Sequence, residues 1–164
     1  MSLTSVKEHF KQWNLDGKIM EFDSPSRTVE EAADTIGVIP ARIAKTLSFR
    51  GEDEKAILIV TAGDAKIDNK KFRQGFGFKA RMLSAEAVVE QTGHVIGGVC
   101  PFGLANDLDI YLDVSLRRFK TVFPACGSVN SAIELTCDEL DKFSGAKDWV
   151  DVCKAWEERF EQAN

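Results

Sequence analysis

The sequence predicts an α+β domain built on a mixed β-sheet, and three observations carry that reading. Helix-like and strand-like segments interleave along the 164 residues with no repeat and no low-complexity linker. The strand-like segments "KTLSFRG" and "KAILIVTAG" lie side by side across a turn containing Gly51 and Asp53, which reads as a hairpin and argues against a purely parallel sheet. The composition, 44% hydrophobic and 29% charged, is that of a globular protein. A chain of this length buries about 70% of its unfolded surface around one core. Residues 1–164 are therefore read as a single domain.

The elements follow in order. A helix is expected over residues 5–13. In "SPSRTVEEAADTIGV", Thr28 and Glu31 stand at capping-box spacing, opening a short helix that Gly37 ends. "PARIA" reads as a helical turn with Pro40 at an early position. "KTLSFRG" alternates as a half-buried strand does, and the apolar run of "KAILIVTAG" suits a strand covered on both faces. Asp68 or Asn69 caps a helix running through Phe72 to Gln74. "ARML" reads as a short strand, and Ser84 caps the helix "AEAVVEQTG", closed by Gly93. In "DIYLDVSL", Ile110, Leu112 and Val114 fall on one face of an expected strand. "KTVFPACG" and "SAIELT" read as two more strands, and a second capping box, Thr136 to Glu139, opens "CDELDKFSG". "DWVDV" and a terminal amphipathic helix, "CKAWEERFEQ", finish the chain.

Several function classes are disfavoured. No apolar run approaches the roughly 20 residues of a membrane span. "MSLTSVKEHFKQW" has no apolar signal-peptide core, so a cytoplasmic location is expected. Cys100, Cys126, Cys137 and Cys153 form no C-x-x-C pair and read as reduced thiols. With only His9 and His94 and no paired Cys/His spacing, no metal site and no cofactor are expected. The net charge of −5 argues against nonspecific coating of nucleic acid, and no DNA partner is expected. Residues 66–81, however, set Lys66, Lys70, Lys71, Arg73, Lys79 and Arg81 against Asp68 alone, a local charge of +5 on a body carrying −10. That is the footprint of a focused polyanion contact, or else a solvated basic helix and loop.

Four places are candidates for chemistry. On an alternating strand, Lys45 shares a face with Leu47 and Phe49, and Thr46 shares the other with Ser48 and Arg50. An ammonium on an apolar face either snorkels to water or meets an anion such as a ligand phosphate. In "HVIGGVCPFGLAND", Gly97 and Gly98 let backbone N–H groups approach an anion or carbonyl oxygen closely, and Pro101 stiffens the arrangement; an ordinary tight connection is the alternative. Cys100 does not sit in a G-x-nucleophile-x-G elbow and has no base at a telling spacing, so it reads as buried lining. In "PACGSVNSAIEL", Gly127, Ser128 and Asn130 offer polar groups at a bend, while Asp113 has the place to orient an amide or hydroxyl. Turn residues without a site role are the alternative for each.

Together, "RIAKTLSFR", "TAGDAKIDNKKF", "GGVCP", "YLDVSL" and "PACGSVNSAIEL" resemble, in order and spacing, the YbaK family of aminoacyl-tRNA deacylases, the editing domain associated with prolyl-tRNA synthetase. The resemblance runs from about Val29 to Cys153. It implies a curved, barrel-like mixed sheet flanked by helices, with no cofactor. It implies hydrolysis of a wrong amino acid from the acceptor end of a tRNA, most often tRNA for proline, with a prolyl-tRNA synthetase or elongation factor as a possible partner and no membrane. Under it, Lys45 contacts the terminal nucleotides and their phosphate, and the backbone of Gly97, Gly98, Val99, Cys100 and Pro101 holds the ester and an attacking water. Beside them, Thr46, Asp113, Gly127, Ser128 and Asn130 are the candidates for binding the substrate, and the local charge makes Lys66, Lys70, Lys71 and Arg73 the candidates for binding tRNA. The alanine-specific branch has asparagine after the lysine and histidine in the later turn. Thr46 and Asn130 depart from that pattern, so strict alanine specificity does not carry over. Two rival classes stay open, a binding module without turnover and a hydrolase that depends on Cys100.

Overall fold

The computed structural model describes residues 2–156. Helix α1, Ser2–Lys11, starts and ends earlier than the sequence suggests and buries Val6 and Phe10. A two-residue strand β1, Met20–Glu21, follows. Thr28 caps helix α2, Val29–Ile36, by accepting the Glu31 N–H. The box is only half made, because the Glu31 carboxylate accepts from the Arg27 N–H instead of returning to Thr28. "PARIA" gives one 3-10 turn, Pro40–Arg42, before strand β2, Ile43–Arg50.

Strand β3, Ala56–Ala62, pairs antiparallel with β2, confirming the hairpin, with Lys45 opposite Thr61, Leu47 opposite Ile59 and Phe49 opposite Ile57. All seven β3 residues are buried, as a central strand covered on both faces requires. Strand β4, Lys66–Ile67, leads into α3, Asn69–Phe76, whose cap Asp68 accepts the N–H groups of Lys70 and Lys71. "ARML" gives one isolated bridge, Met82 to Phe49, in place of a strand. Helix α4 is Ala85–Thr92 and strand β5 is Asp109–Asp113. Val114 leaves the strand, because the Asp113 carboxylate caps a 3-10 turn, Val114–Arg118, and ends the alternation there. Strand β6 is Thr121–Pro124. "SAIELT" splits into β7, Ser131–Ala132, and β8, Leu135–Thr136, which join different sheets. Helix α5, Cys137–Ser144, opens on a complete capping box, and β9 is Asp148–Val150. Cys153–Lys154 forms strand β10 against β4 where a terminal helix was expected; the rest of that expected helix lies outside the described residues apart from Ala155 and Trp156.

The main sheet runs β8-β6-β2-β3-β5-β9, mixed as expected, and curls into a half-barrel. β2 pairs parallel with β6 only at Ile43 and Ala44. Further along, the Ser48 carbonyl accepts the Leu83 N–H and Arg50 donates to Arg81. Among the described residues, nothing pairs with the outer edge of β2 between those contacts, around residues 45–47. The candidate site lies at that opening.

Candidate functional site

A pocket of about 280 Å³ opens beside β2, walled by α2, by residues 96, 97 and 99, by the end of β6 and by residues 128, 129, 131 and 132. Lys45 and Thr46 line it together with Gly97, Val99 and Ser128. The Lys45 ammonium donates to the Gly63 carbonyl at 3.3 Å. Burial holds its pKa below the ordinary lysine value, opposed by the surrounding negative groups, Asp64 and Glu30 among them. It makes no ion pair with a carboxylate among the described residues. Thr46 Oγ1 is buried with no hydrogen-bond partner.

The glycine loop shows a division of labour. Gly98 donates its N–H to the Val95 carbonyl and accepts the Gly127 N–H at 3.0 Å. A Cβ on Gly98 would lie 2.7 Å from the Ser128 nitrogen and 2.8 Å from the Gly127 carbonyl carbon. Gly98 is thus a packing contact that locks two loops together, and its N–H is already spent. The N–H groups of Gly97 and Val99 donate to no backbone or side-chain acceptor among the described residues, and both residues line the pocket. Gly97 holds φ at +93°, a region that favours glycine.

Cys100 is fully buried, and burial pushes its thiol up to about 12. Its sulfur lies 3.6 Å from His94 Nε2, which raises the question of a thiol–imidazole pair. The same nitrogen lies 2.7 Å from the Phe102 carbonyl oxygen, so it carries the ring proton and cannot act as a base toward Cys100. No activated nucleophile faces the pocket from this loop.

Among known proteins, residues 23–143 match the aminoacyl-tRNA editing domain family. The chain belongs to that family. It is 69% identical to the uncharacterized protein YwhH of Bacillus subtilis, over 96% of this chain and all of that one. It is 28% identical to EbsC of Enterococcus faecalis, named as a candidate Cys-tRNA(Pro)/Cys-tRNA(Cys) deacylase, over 69% of this chain and 70% of that one. A solved structure described as a candidate trans-editing enzyme for prolyl tRNA synthetase superposes with a TM-score of 0.84 at 31% identity, over 93% of this chain and 97% of that one. The protein is thus an aminoacyl-tRNA editing hydrolase of the YbaK type, acting on mischarged tRNA.

In this editing domain the other sequence candidates fall into place unevenly. Asp113 is not brought to the pocket: one carboxylate oxygen accepts the Ser115 N–H and the other the Val152 N–H, each at 2.9 Å. Pro101 lines a separate surface groove beside His9 and Gly103. Gly127, with φ at +90°, packs on Ser2 and reaches the pocket only through its bond to Gly98. Asn130 acts at one remove, its amide donating to the Phe22 carbonyl while its own backbone carbonyl accepts the Phe22 N–H. That pairing folds residues 22–28 over the pocket as a wall, bringing in Phe22 and Arg27. "EFDSPSR" carries no periodic or motif signal, so sequence reasoning missed this wall. Ile96 and Met82, 57% and 61% exposed, stand at the pocket as apolar side chains that were also missed.

Of the basic set, Lys66, Lys70 and Arg73 are exposed. Lys71 is not a free contact, because its ammonium bonds the Asp151 carboxylate and the Cys153 carbonyl, each at 3.1 Å. Among the described residues no group of His, Cys, Asp and Glu could hold a metal, and no helix is long and apolar enough to cross a membrane.

Proposed function

We infer that this editing domain acts in trans to hydrolyse the ester of a small non-cognate amino acid on tRNA for proline. One observation carries the reading. Lys45, with its half-buried ammonium, lines one small pocket with Gly97 and Val99, whose N–H groups meet no acceptor among the described residues, and the thiol of their loop is sealed away. An aminoacyl ester needs no covalent nucleophile if its carbonyl is held and a water is aligned. The water oxygen bonds to the carbonyl carbon and loses a proton, the bond to the ribose oxygen breaks, and that oxygen takes a proton. The products are free amino acid and uncharged tRNA. The Gly97 and Val99 N–H groups stabilise the developing oxyanion, each contributing about 10²–10³ in rate. The Lys45 ammonium holds the terminal phosphate or ribose, and Thr46 helps to wall the space for the aminoacyl group.

The relatives support the tRNA assignment. The chain is also 29% identical to a proline–tRNA ligase of Bacillus licheniformis, over 61% of this chain and 18% of that enzyme. Such a synthetase separates near-isosteres by only about 1–3 kcal/mol per methylene, which leaves mischarged products for a second sieve. A deacylation panel of alanyl, 2-aminobutyryl, seryl, cysteinyl and prolyl tRNA for proline tests the reading. Turnover of at least one non-cognate ester with prolyl-tRNA spared is expected; hydrolysis of none refutes it.

A further inference from the structure

Lys45 is steered by a neutral oxygen although a carboxylate stands on the next residue. Its ammonium donates to the Gly63 carbonyl at 3.3 Å, and Asp64 follows directly. The Asp64 carboxylate is occupied by Arg118, whose two terminal nitrogens reach its two oxygens at 3.0 and 2.6 Å. Arg118 is 5% exposed, donates through Nε to the Ser115 carbonyl at 2.8 Å, and packs against the rings of Phe119 and Trp156. A bidentate guanidinium takes both carboxylate oxygens in a fixed plane.

We propose that Arg118 is a positioning residue that holds the Asp64 carboxylate away from Lys45, so that the ammonium stays available to a substrate anion. The proposal rests on the editing reading for the identity of that anion. Its logic is competition. A half-buried ammonium seeks an anion, and one supplied from within the protein displaces one on the tRNA. Gly63 aims the side chain without neutralising it, and its own place is fixed: a Cβ there would lie 2.7 Å from Val29 Cγ1 and closer still to the Pro40 carbonyl oxygen. Glu30, Lys66 and Cys153 also act electrostatically on Lys45, but none shares the turn that holds its ammonium. A purely structural staple, tying the turn after β3 to the 3-10 turn after β5, is the alternative.

The test compares Arg118→Gln, Asp64→Asn and the double variant, each verified as folded by circular dichroism. The readouts are the affinity for an uncharged transcript of tRNA for proline across salt concentrations and the NMR titration of the Lys45 amine. In Arg118→Gln, the freed Asp64 captures Lys45. The amine then titrates at higher pH than in wild type, and affinity falls at least about tenfold, as removal of one charged interaction implies. The salt slope drops by about 0.9 or less, one phosphate equivalent at most. In the double variant the competitor is gone, and affinity returns to within about threefold of wild type. A staple predicts no such recovery, since neither variant restores the link. Unchanged affinity in Arg118→Gln, or a double variant as weak as Arg118→Gln, overturns the proposal. If Arg118→Gln does not fold, Asp64→Asn decides alone: the Lys45 amine must titrate lower than in wild type, and an unmoved titration overturns the proposal. These readouts need no turnover, so failure of every ester in the deacylation panel would refute the editing reading and leave this test standing.

Discussion

Gly127 donates its backbone N–H to the Gly98 carbonyl at 3.0 Å, and that bond joins the two loops that wall the pocket. The approach is close enough that any side chain on Gly98 meets backbone rather than a movable side-chain tip. Gly98→Ala should therefore push the loops apart, costing about 1–3 kcal/mol of stability. Under the proposed mechanism deacylation should fall with it, because Gly97 and Val99 on the displaced loop would no longer meet the ester. Urea denaturation and single-turnover assays on the same preparation check both effects. An active variant of wild-type stability would contradict the packing role.

Cys100→Ala should leave deacylation within about threefold of wild type, since the buried thiol behaves as a small hydrophobe. The stability cost should be of order 1–2 kcal/mol from weakened packing. Alkylation of native protein by iodoacetamide should spare Cys100, as a thiol pushed up to about 12 and shielded from solvent stays protonated. A thioester trapped at Cys100 would contradict this.

Charge reversal at Lys70 and Arg73 should weaken tRNA binding and flatten its salt dependence by up to about 0.9 for each phosphate no longer neutralised. Lys71 should behave differently. It ties α3 to the segment carrying Asp151 and Cys153, so Lys71→Glu should chiefly lower thermal stability. Binding isotherms over a salt series, beside melting curves, separate the two. Equal effects on binding from all three positions would contradict the division.

The sequence made the scaffold legible where local signals and tertiary demands agreed. Asp68, Ser84 and Thr136 cap helices as their positions predict, and the "KTLSFRG"–"KAILIVTAG" hairpin forms because each strand's pattern suits its place in the sheet. Legibility failed where a side chain changed the backbone's course. Asp113 ended the strand of "DIYLDVSL" and turned Val114 onward into a 3-10 turn, and pairing with Lys66 and Ile67 drew Cys153 and Lys154 into a strand. The site was legible in part, because Lys45 and the loop glycines carry chemical type in their identity. What Asn130 and Arg118 do was not legible, since it depends on partners 108 and 54 residues away.

Lys45 gives a pH dependence with a definite sign. Burial lowers its folded pKa, so between that value and the ordinary 10.5 the unfolded chain binds more protons. Its contribution therefore destabilises the fold below the folded pKa and is relieved as pH rises through that window. tRNA affinity should move the opposite way, holding while the ammonium is protonated and weakening as pH rises through the folded pKa. Chemical denaturation and tRNA binding across pH 8–11 (a range of about three units around the window) check both slopes. A Lys45→Met control should flatten each, and unchanged slopes in that control would assign them elsewhere.

Single-turnover deacylation by Lys45→Ala on mischarged tRNA for proline tests the role of the pocket ammonium most directly. The fold should survive, because among the described residues the side chain makes one hydrogen bond, to the Gly63 carbonyl. A charged interaction typically worth roughly 1.5–3 kcal/mol disappears, and the ester loses its alignment as well. The expected result is a loss of at least about 10²-fold, poorly rescued by Lys45→Arg, whose planar fork does not replace a compact ammonium. A folded Lys45→Ala that hydrolyses the mischarged tRNA at the wild-type rate would contradict it.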